Sequence, residues 1–260
     1  MPYSPETTSM ALFCDFENVA LGVREARYAE FDVKKVLERL LLKGSIVVKK
    51  AYCDWDRYKA FKPAMHEASF ELIEIPHVRQ SGKNSADIRM VVDALDLCYT
   101  KGHVDTFVIV SGDSDFSPLV SKLRENAKLV IGVGVKNSSS DLLISNCDEF
   151  IYYDDLVRAD EQKRRAAKKR KESAPTGQDK KQEAYDLLLG TLEALIAERG
   201  ADEKIWGSMI KQALKRRNPG FNETYYGYRA FSDLLEEAGE KGLIRLDPDE
   251  KSGGYIIRPA

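Results

Sequence analysis

The sequence is short of the residues that soft-metal and redox chemistry require. Its four cysteines, Cys14, Cys53, Cys98 and Cys147, are widely spaced and form no C-x-x-C pair. Each lies in or beside an apolar segment, so each reads as a buried free thiol, not a disulfide partner or zinc ligand. The three histidines, His66, His77 and His103, show no ligand spacing. A metal bound here must therefore be held by carboxylates, which points to Mg²⁺ or Mn²⁺ and away from zinc. No apolar run approaches membrane-spanning length. Residues 1–10 lack the basic and apolar regions of a signal peptide, so the expectation is a cytoplasmic protein with no membrane association.

Charge is nearly balanced, with a formal net of -2, but it is unevenly placed. Residues 159–181 hold nine lysines and arginines against four acids, while the segments on either side are mildly acidic. A mildly acidic region with a separate basic tract is compatible with a nucleic-acid enzyme.

The chain is organised around residues 107–116. Phe107 to Val110 forms a continuous apolar run that suits a buried strand. The run breaks at Ser111-Gly112 and delivers Asp113 and Asp115 just past the strand's carboxyl end. Pro118 then suits the first turn of a helix over 119–126. Ligands of open α/β sheets sit outside the carboxyl ends of strands, so this D-x-D suggests a divalent-metal site. The plain alternative is that Asp113 caps the helix and Asp115 adds charge to its first turn.

The arrangement recurs at Met10 to Cys14, a short apolar strand ending in Asp15-Phe16-Glu17-Asn18. Residues 31–43 have a helical apolar period, 46–52 read as a strand followed by Asp54-Trp55-Asp56, 61–70 as a helix, and 71–75 as a further strand. A polar loop, Gln80 to Asn84, precedes a helix from Ser85, in which 88, 91, 92 and 95 mark one apolar face. Asp87 and Asp93 are six apart and do not share a face. Asp87, in the first turn where the loop meets the sheet edge, is the better placed for a site. Residues 129–135 and 150–153 complete the strands, and a serine-rich loop at 138–140 can cap a helix from Asp141. Strands alternating with helices argue a parallel α/β sheet.

Residues 159–181 read as a basic flexible linker. Residues 182–260 form a second unit: helices over 184–199, 206–217 and 228–238, then two short strands joined by a polar hairpin. That pattern suits a small winged helix-turn-helix domain.

Three motifs in this order resemble the NYN domain of the LabA-like group in the PIN-like nuclease superfamily. They are Phe13-Cys14-Asp15-Phe16-Glu17-Asn18, Lys83-Asn84-Ser85-Ala86-Asp87 leading a helix, and Ser111-Gly112-Asp113-Ser114-Asp115-Phe116. Residues 183–258, with Tyr226-Gly227-Tyr228-Arg229-Ala230-Phe231 and Gly242-Leu243-Ile244, resemble an OST-HTH (LOTUS) domain. The resemblance implies residues 1–158 as a PIN-like nuclease domain, a parallel-sheet sandwich with helices on both faces, and 182–260 as a winged-helix module. It implies hydrolysis of RNA at a carboxylate cluster that binds Mg²⁺ or Mn²⁺. Asp15, Asp87 and Asp113 match the acidic metal positions, Asp115 matches the acid that completes the cluster, and Asn18 matches a polar residue that orients a carboxylate or phosphate.

A phosphodiester hydrolase built on metal needs several carboxylates and neither histidine nor cysteine, which is what this chain offers. Lys83 could contact phosphate, or be an ordinary exposed lysine. Tyr52 and Trp55 could stack a base, or pack in the core. Lys211, Lys215, Arg216 and Arg217 could meet phosphates and an exposed Tyr225-Tyr226 pair could stack on bases, or the charges could simply favour a helix C-terminus. The expected partner is RNA, single-stranded or structured; a protein partner for the C-terminal domain and a homo-oligomer stay open. A non-catalytic RNA-binding regulator and a phosphatase are the rival readings. The first strand has no second D-x-D, which counts against the phosphatase.

Overall fold

The structure, a computed structural model, describes residues 8–75, 85–161, 179–200, 203–249 and 254–260. The described residues divide into two compact units, one built on the N-terminal α/β elements and one on the elements from residue 179 onward together with Leu41–Gly44.

In the N-terminal unit six strands run parallel: β1 (Ser9–Asp15), β2 (Ser45–Cys53), β3 (Glu71–Glu74), β4 (Thr106–Val110), β5 (Leu129–Gly134) and β6 (Glu149–Tyr152). Their order across the sheet is β3-β2-β1-β4-β5-β6. Central strands of such a sheet are covered on both faces, so they read as continuous apolar runs without alternation. β1 shows why. Met10, Leu12 and Cys14 enter one core, with Val108 and Val110 of β4 beside them. Ala11 and Phe13 enter the opposite core with Phe107 and Ile109.

Helix α1 (Phe16–Glu25) and α2 (Val33–Lys43) pack on the first face through Phe16, Val19, Val23, Val36 and Leu40. The short α3 (Lys62–Glu67) joins them through Met65, with Pro63 in its first turn. The second face carries α4 (Ser85–Thr100), α5 (Ser117–Glu125) and α6 (Asp141–Asn146) through Met90, Leu119, Leu123 and Leu143. After β6, residues 153–161 are helical, and α7 denotes this segment. The result is an α/β layer structure with helices on both faces of a parallel sheet, as expected.

Two local readings change. The apolar period of α4 marks its inner face only in part. Met90, Ala94 and Cys98 are buried and Val91 and Leu95 pack partly buried against the same core, whereas Ile88 and Val92 are 63% and 56% exposed. Apolar residues occur around most of that helix, so periodicity alone does not fix the centre of the inward stripe. Asp87 lies three and seven positions before Met90 and Ala94 and therefore shares the stripe that faces the sheet. The second change is α1, a helix where the sequence suggested only a strand end. Asp15 starts it: its carboxylate accepts from the Asn18 N–H at 3.3 Å, an N-cap bond.

The C-terminal unit has α8 (Asp179–Arg199), β7 (Ile205–Trp206), α9 (Gly207–Arg217), α10 (Phe231–Glu240), β8 (Ile244–Asp249) and β9 (Gly254–Pro259). α8 ends at Gly200, whose φ of +98° is open to glycine and strained for other residues. The hairpin strands are antiparallel, and β7 adds to them in the order β7-β9-β8. Three helices against this small sheet is the arrangement expected of a winged-helix unit. Its core gathers Tyr185, Leu188, Leu192, Leu214, Phe231 and Leu235. The basic tract within 162–178 lies outside the described residues.

Candidate functional site

The carboxyl ends of β2, β1 and β4 lie side by side, because these three strands are adjacent and parallel. Asp15 is the last residue of β1 and is 7% exposed. Ser111 and Gly112 follow β4 directly. The Ser111 hydroxyl, fully buried, donates to Asp15 Oδ2 at 3.0 Å and accepts the Asp113 N–H at 3.2 Å. One side chain thus joins two acids that come from different strands. Asp113 in turn caps the 3₁₀ turn Ser114–Phe116, its Oδ1 accepting the Asp115 N–H at 3.0 Å. Phe116, fully buried, anchors that turn.

Asn18, one turn into α1, accepts the Gly112 N–H on its Oδ1 at 2.9 Å. The Gly112 carbonyl accepts from the Ser140 N–H at 2.9 Å. Gly112 admits no side chain here, since a Cβ would lie 2.3 Å from the Ser138 carbonyl oxygen. The glycine's close approach is therefore to the 138–140 loop of its own chain. Asn18 acts on the backbone of the acid-bearing loop.

Asp87 is half-buried on α4. Burial, then the charges of Asp113, Asp115 and Glu17, raise its pKa. Burial and the charge of Asp87 push the Asp15 carboxyl up to about 7; the Ser111 and Asn18 hydrogen bonds oppose that rise, and Asp113 adds to it. Asp15 thus feels Asp87 and Asp113 as like charges, and Asp87 feels Asp113 and Asp115. No lysine or arginine among the described residues pairs with any of the four. Even so, no three acid, histidine or cysteine side chains among the described residues converge closely enough to hold one ion between them.

Lys83 lies outside the described residues. Where the sequence left base stacking or core packing open, the structure selects packing. Tyr52 is fully buried, donating to Asp93 Oδ2 at 2.9 Å, and Trp55 is 1% exposed in an aromatic cluster around Phe16; neither offers a face to a base. Against the cost of burial, the Tyr52 hydroxyl, Lys50 and Arg89 hold Asp93 below its usual range, the structural role expected of it. The cysteines are free, with Cys14, Cys53 and Cys98 buried.

In the C-terminal unit, Tyr226 is not an exposed stacking residue. It is 8% exposed, stacks on Phe221 at 5.3 Å, and donates to Glu183 Oε1 at 3.2 Å. Tyr225 beside it is 58% exposed, with Lys180 Nζ 4.4 Å above its ring. Lys211 and Lys215 lie 3.0 and 4.0 Å from Glu223. Arg216 is half-buried with main-chain carbonyls on its Nε and Nη2, and Arg217 donates to Thr191 at 3.4 Å.

With this geometry in place, comparison with known proteins decides the family. The model of the NYN domain matches residues 9–154, more than half of the chain and all six strands of the parallel sheet. The chain belongs to the NYN domain family. NYN domains are PIN-like, of a nuclease superfamily, and the membership carries a nuclease-type, RNA-related role at family level. The NYN region is 29% identical over 140 residues to an uncharacterized protein of Methanocaldococcus jannaschii, covering 54% of this chain and 55% of that protein. It is 28% identical over 148 residues to the Meiosis regulator and mRNA stability factor 1 of Xenopus tropicalis, covering 57% of this chain and 9% of that one. The chain therefore spans about half the length of the first relative and a small part of the second. A crystal structure of a Vibrio parahaemolyticus protein of unknown function superposes with a TM-score of 0.52 at 28% identity, over 59% of this chain and 98% of that one.

The sequence reading missed Ser111 and the 138–140 loop as parts of the site. A buried serine one residue past a strand end, two before an acid, was the available signal. Glu17 and Arg57, which ion-pair at 3.0 Å, carry no comparable signal in the sequence.

Proposed function

We propose that this NYN protein is a metal-dependent ribonuclease of the LabA-like group, with Asp15, Asp87 and Asp113 holding Mg²⁺ or Mn²⁺ and Asp115 reaching it directly or through water. The observation that carries this reading is a set of four acids, Asp15, Asp113 and Asp115 at or just past adjacent strand ends and Asp87 in the first turn of α4, with like charges bearing on Asp15 and Asp87 and no pairing cation among the described residues. The donor set is all oxygen, which fits a hard divalent cation. Because the acids do not close on a single point, the ion they fit is one that keeps part of its water shell, as Mg²⁺ does. When bound, the ion would supply Lewis acidity at a phosphoryl oxygen and neutralise charge on the phosphodiester. The chain's own residues set the stage: Ser111 fixes Asp15 relative to Asp113, and Asn18 fixes the Gly112 backbone between them.

The C-terminal unit is read as the OST-HTH (LOTUS) module that holds RNA, single-stranded or structured. Exposed Tyr225 with Lys180, Lys211 and Lys215 takes the role first given to Tyr226. A cytoplasmic setting goes with this reading; among the described residues no helix is long and apolar enough to cross a membrane.

A second reading, a non-catalytic RNA-binding regulator, draws on the acids' failure to converge on one ion among the described residues. One experiment separates the two. End-labelled single-stranded and hairpin RNA are incubated with the protein in Mn²⁺, Mg²⁺ or EDTA, beside Asp113→Asn. The expected result is cleavage that requires the metal and falls at least about a hundredfold in the variant, since even outer-shell partners of a metal cost 10–100-fold. RNA binding with no cleavage by either protein supports the regulator.

A further inference from the structure

The acid-bearing edge also holds a cation that nothing above uses. Glu17 stands in the first turn of α1, two residues past Asp15, and its charge bears on Asp87 as those of Asp113 and Asp115 do. Arg57 Nη1 lies 3.0 Å from Glu17 Oε1, and the two side chains are 54% and 36% exposed. Arg57 comes from the loop after β2, the strand that neighbours β1 on the side away from β4.

That loop is firmly held. Trp55 is buried and packs on Phe16 at 4.9 Å, and Tyr58 meets the same ring at 5.5 Å. The Trp55 N–H donates to Glu74 Oε1 at 2.9 Å, and the Arg57 N–H closes a turn onto the Asp54 carbonyl at 3.1 Å. A guanidinium two residues along the chain from a buried tryptophan is thus held against Glu17, in the helix turn that opens at Asp15. It uses one nitrogen on Glu17, and among the described residues its Nε and Nη2 have no hydrogen-bond partner.

We infer that Arg57 grips a backbone phosphate of the RNA next to the acid cluster, and that Glu17 is the positioning residue that holds the guanidinium until a phosphate displaces it. The inference rests on the ribonuclease reading and deepens it. A polyanion approaching several carboxylates meets repulsion, and a planar guanidinium with donors to spare offers a fork that matches phosphate oxygens. An exposed pair such as Arg57–Glu17 is weakly held in water, so a phosphate can replace the carboxylate at little cost.

The test uses the full chain in an Asp113→Asn background, which separates binding from cleavage. Binding of a labelled single-stranded RNA oligonucleotide is followed by fluorescence anisotropy across a KCl series. Arg57→Gln is expected to weaken binding about tenfold, the scale of one charge-assisted hydrogen bond. It should also flatten the plot of log affinity against log salt by roughly 0.7, the share of one single-strand phosphate contact. Arg57→Lys should keep the salt slope and lose part of the affinity, because the charge remains and the fork does not. Glu17→Gln should tighten binding roughly two- to fivefold by removing the competing anion. Arg57→Gln with unchanged affinity and slope overturns the phosphate grip, and Glu17→Gln that binds no tighter overturns the holding role. If the Asp113→Asn parent binds no RNA even at low salt, the ribonuclease reading itself falls and the grip with it, a pattern distinct from retained binding with silent Arg57 variants.

Discussion

Asp15 and Glu237 belong to the two different units, and they leave the ordinary carboxylate range in opposite directions. Glu237 on α10 accepts from Lys181 at 2.7 Å and from the Tyr185 hydroxyl at 2.7 Å, with Lys241 3.2 Å away. Hydrogen bonds from Lys181 and Tyr185 pull its pKa down to about 2. Asp15 is pushed up to about 7 by burial and by Asp87, although it too has hydrogen-bond donors. The difference lies in what surrounds each group. Glu237 is neutralised by the fold, so its charge is part of the unit's own structure. Asp15 is surrounded by more of the same sign, so the fold leaves its charge unneutralised. The contrast separates charge that the fold neutralises from charge that it leaves unneutralised, which the proposed metal would take up.

The strongest test of the contrast is Asp15→Asn. A carboxyl whose pKa is raised on folding binds more protons in the native state between its unfolded value and the folded one. Its contribution is therefore fully favourable below about pH 4 and is lost as pH rises through about 7. Thermal unfolding in EDTA should show the wild type losing of the order of a few kcal/mol between pH 4.5 and 8 through this group, a loss largely absent from Asp15→Asn. Equal pH dependence in the two proteins would break the contrast. Ser111→Ala should come next. It leaves Asp15 Oδ2 and the Asp113 N–H without their shared partner, costing about 1–3 kcal/mol in urea denaturation and driving the Asp15 titration higher still by NMR. Glu237→Gln should be the mildest, about 1 kcal/mol at neutral pH. Here the sign reverses. A depressed carboxyl stabilises above its unfolded pKa of about 4.5 and loses that contribution as pH falls toward about 2, so acid titration followed by circular dichroism should find this component missing in the variant.

Much of the N-terminal fold is legible in the sequence because a parallel strand buried on both faces must be apolar throughout, and few other elements are so short and so uniform. The acids were visible for the same reason, as charges placed where such runs stop. What the sequence concealed was direction. Ile88 and Val92 look like a core stripe but face solvent, because Met90, Ala94 and Cys98 offer an equally apolar alternative and only the sheet chooses between them. Tyr225 and Tyr226 are neighbours of one type, yet Phe221 claims one and leaves the other out. Arg57 was unreadable for a further reason: its partner is 40 residues away, and nothing in the local pattern distinguishes it from any exposed arginine.

The Ser111–Asp15 hydrogen bond joins residues 96 positions apart. Closing so long a loop costs chain entropy before it yields any contact, so pairings of this kind form late in folding. During synthesis, Asp15 and Asp87 leave the ribosome well before the strand that aligns them. A chain interrupted before residue 111 carries two of the four acids and no cluster. The route of the polypeptide itself thus delays assembly of the charged edge until the first four strands of the sheet have been made.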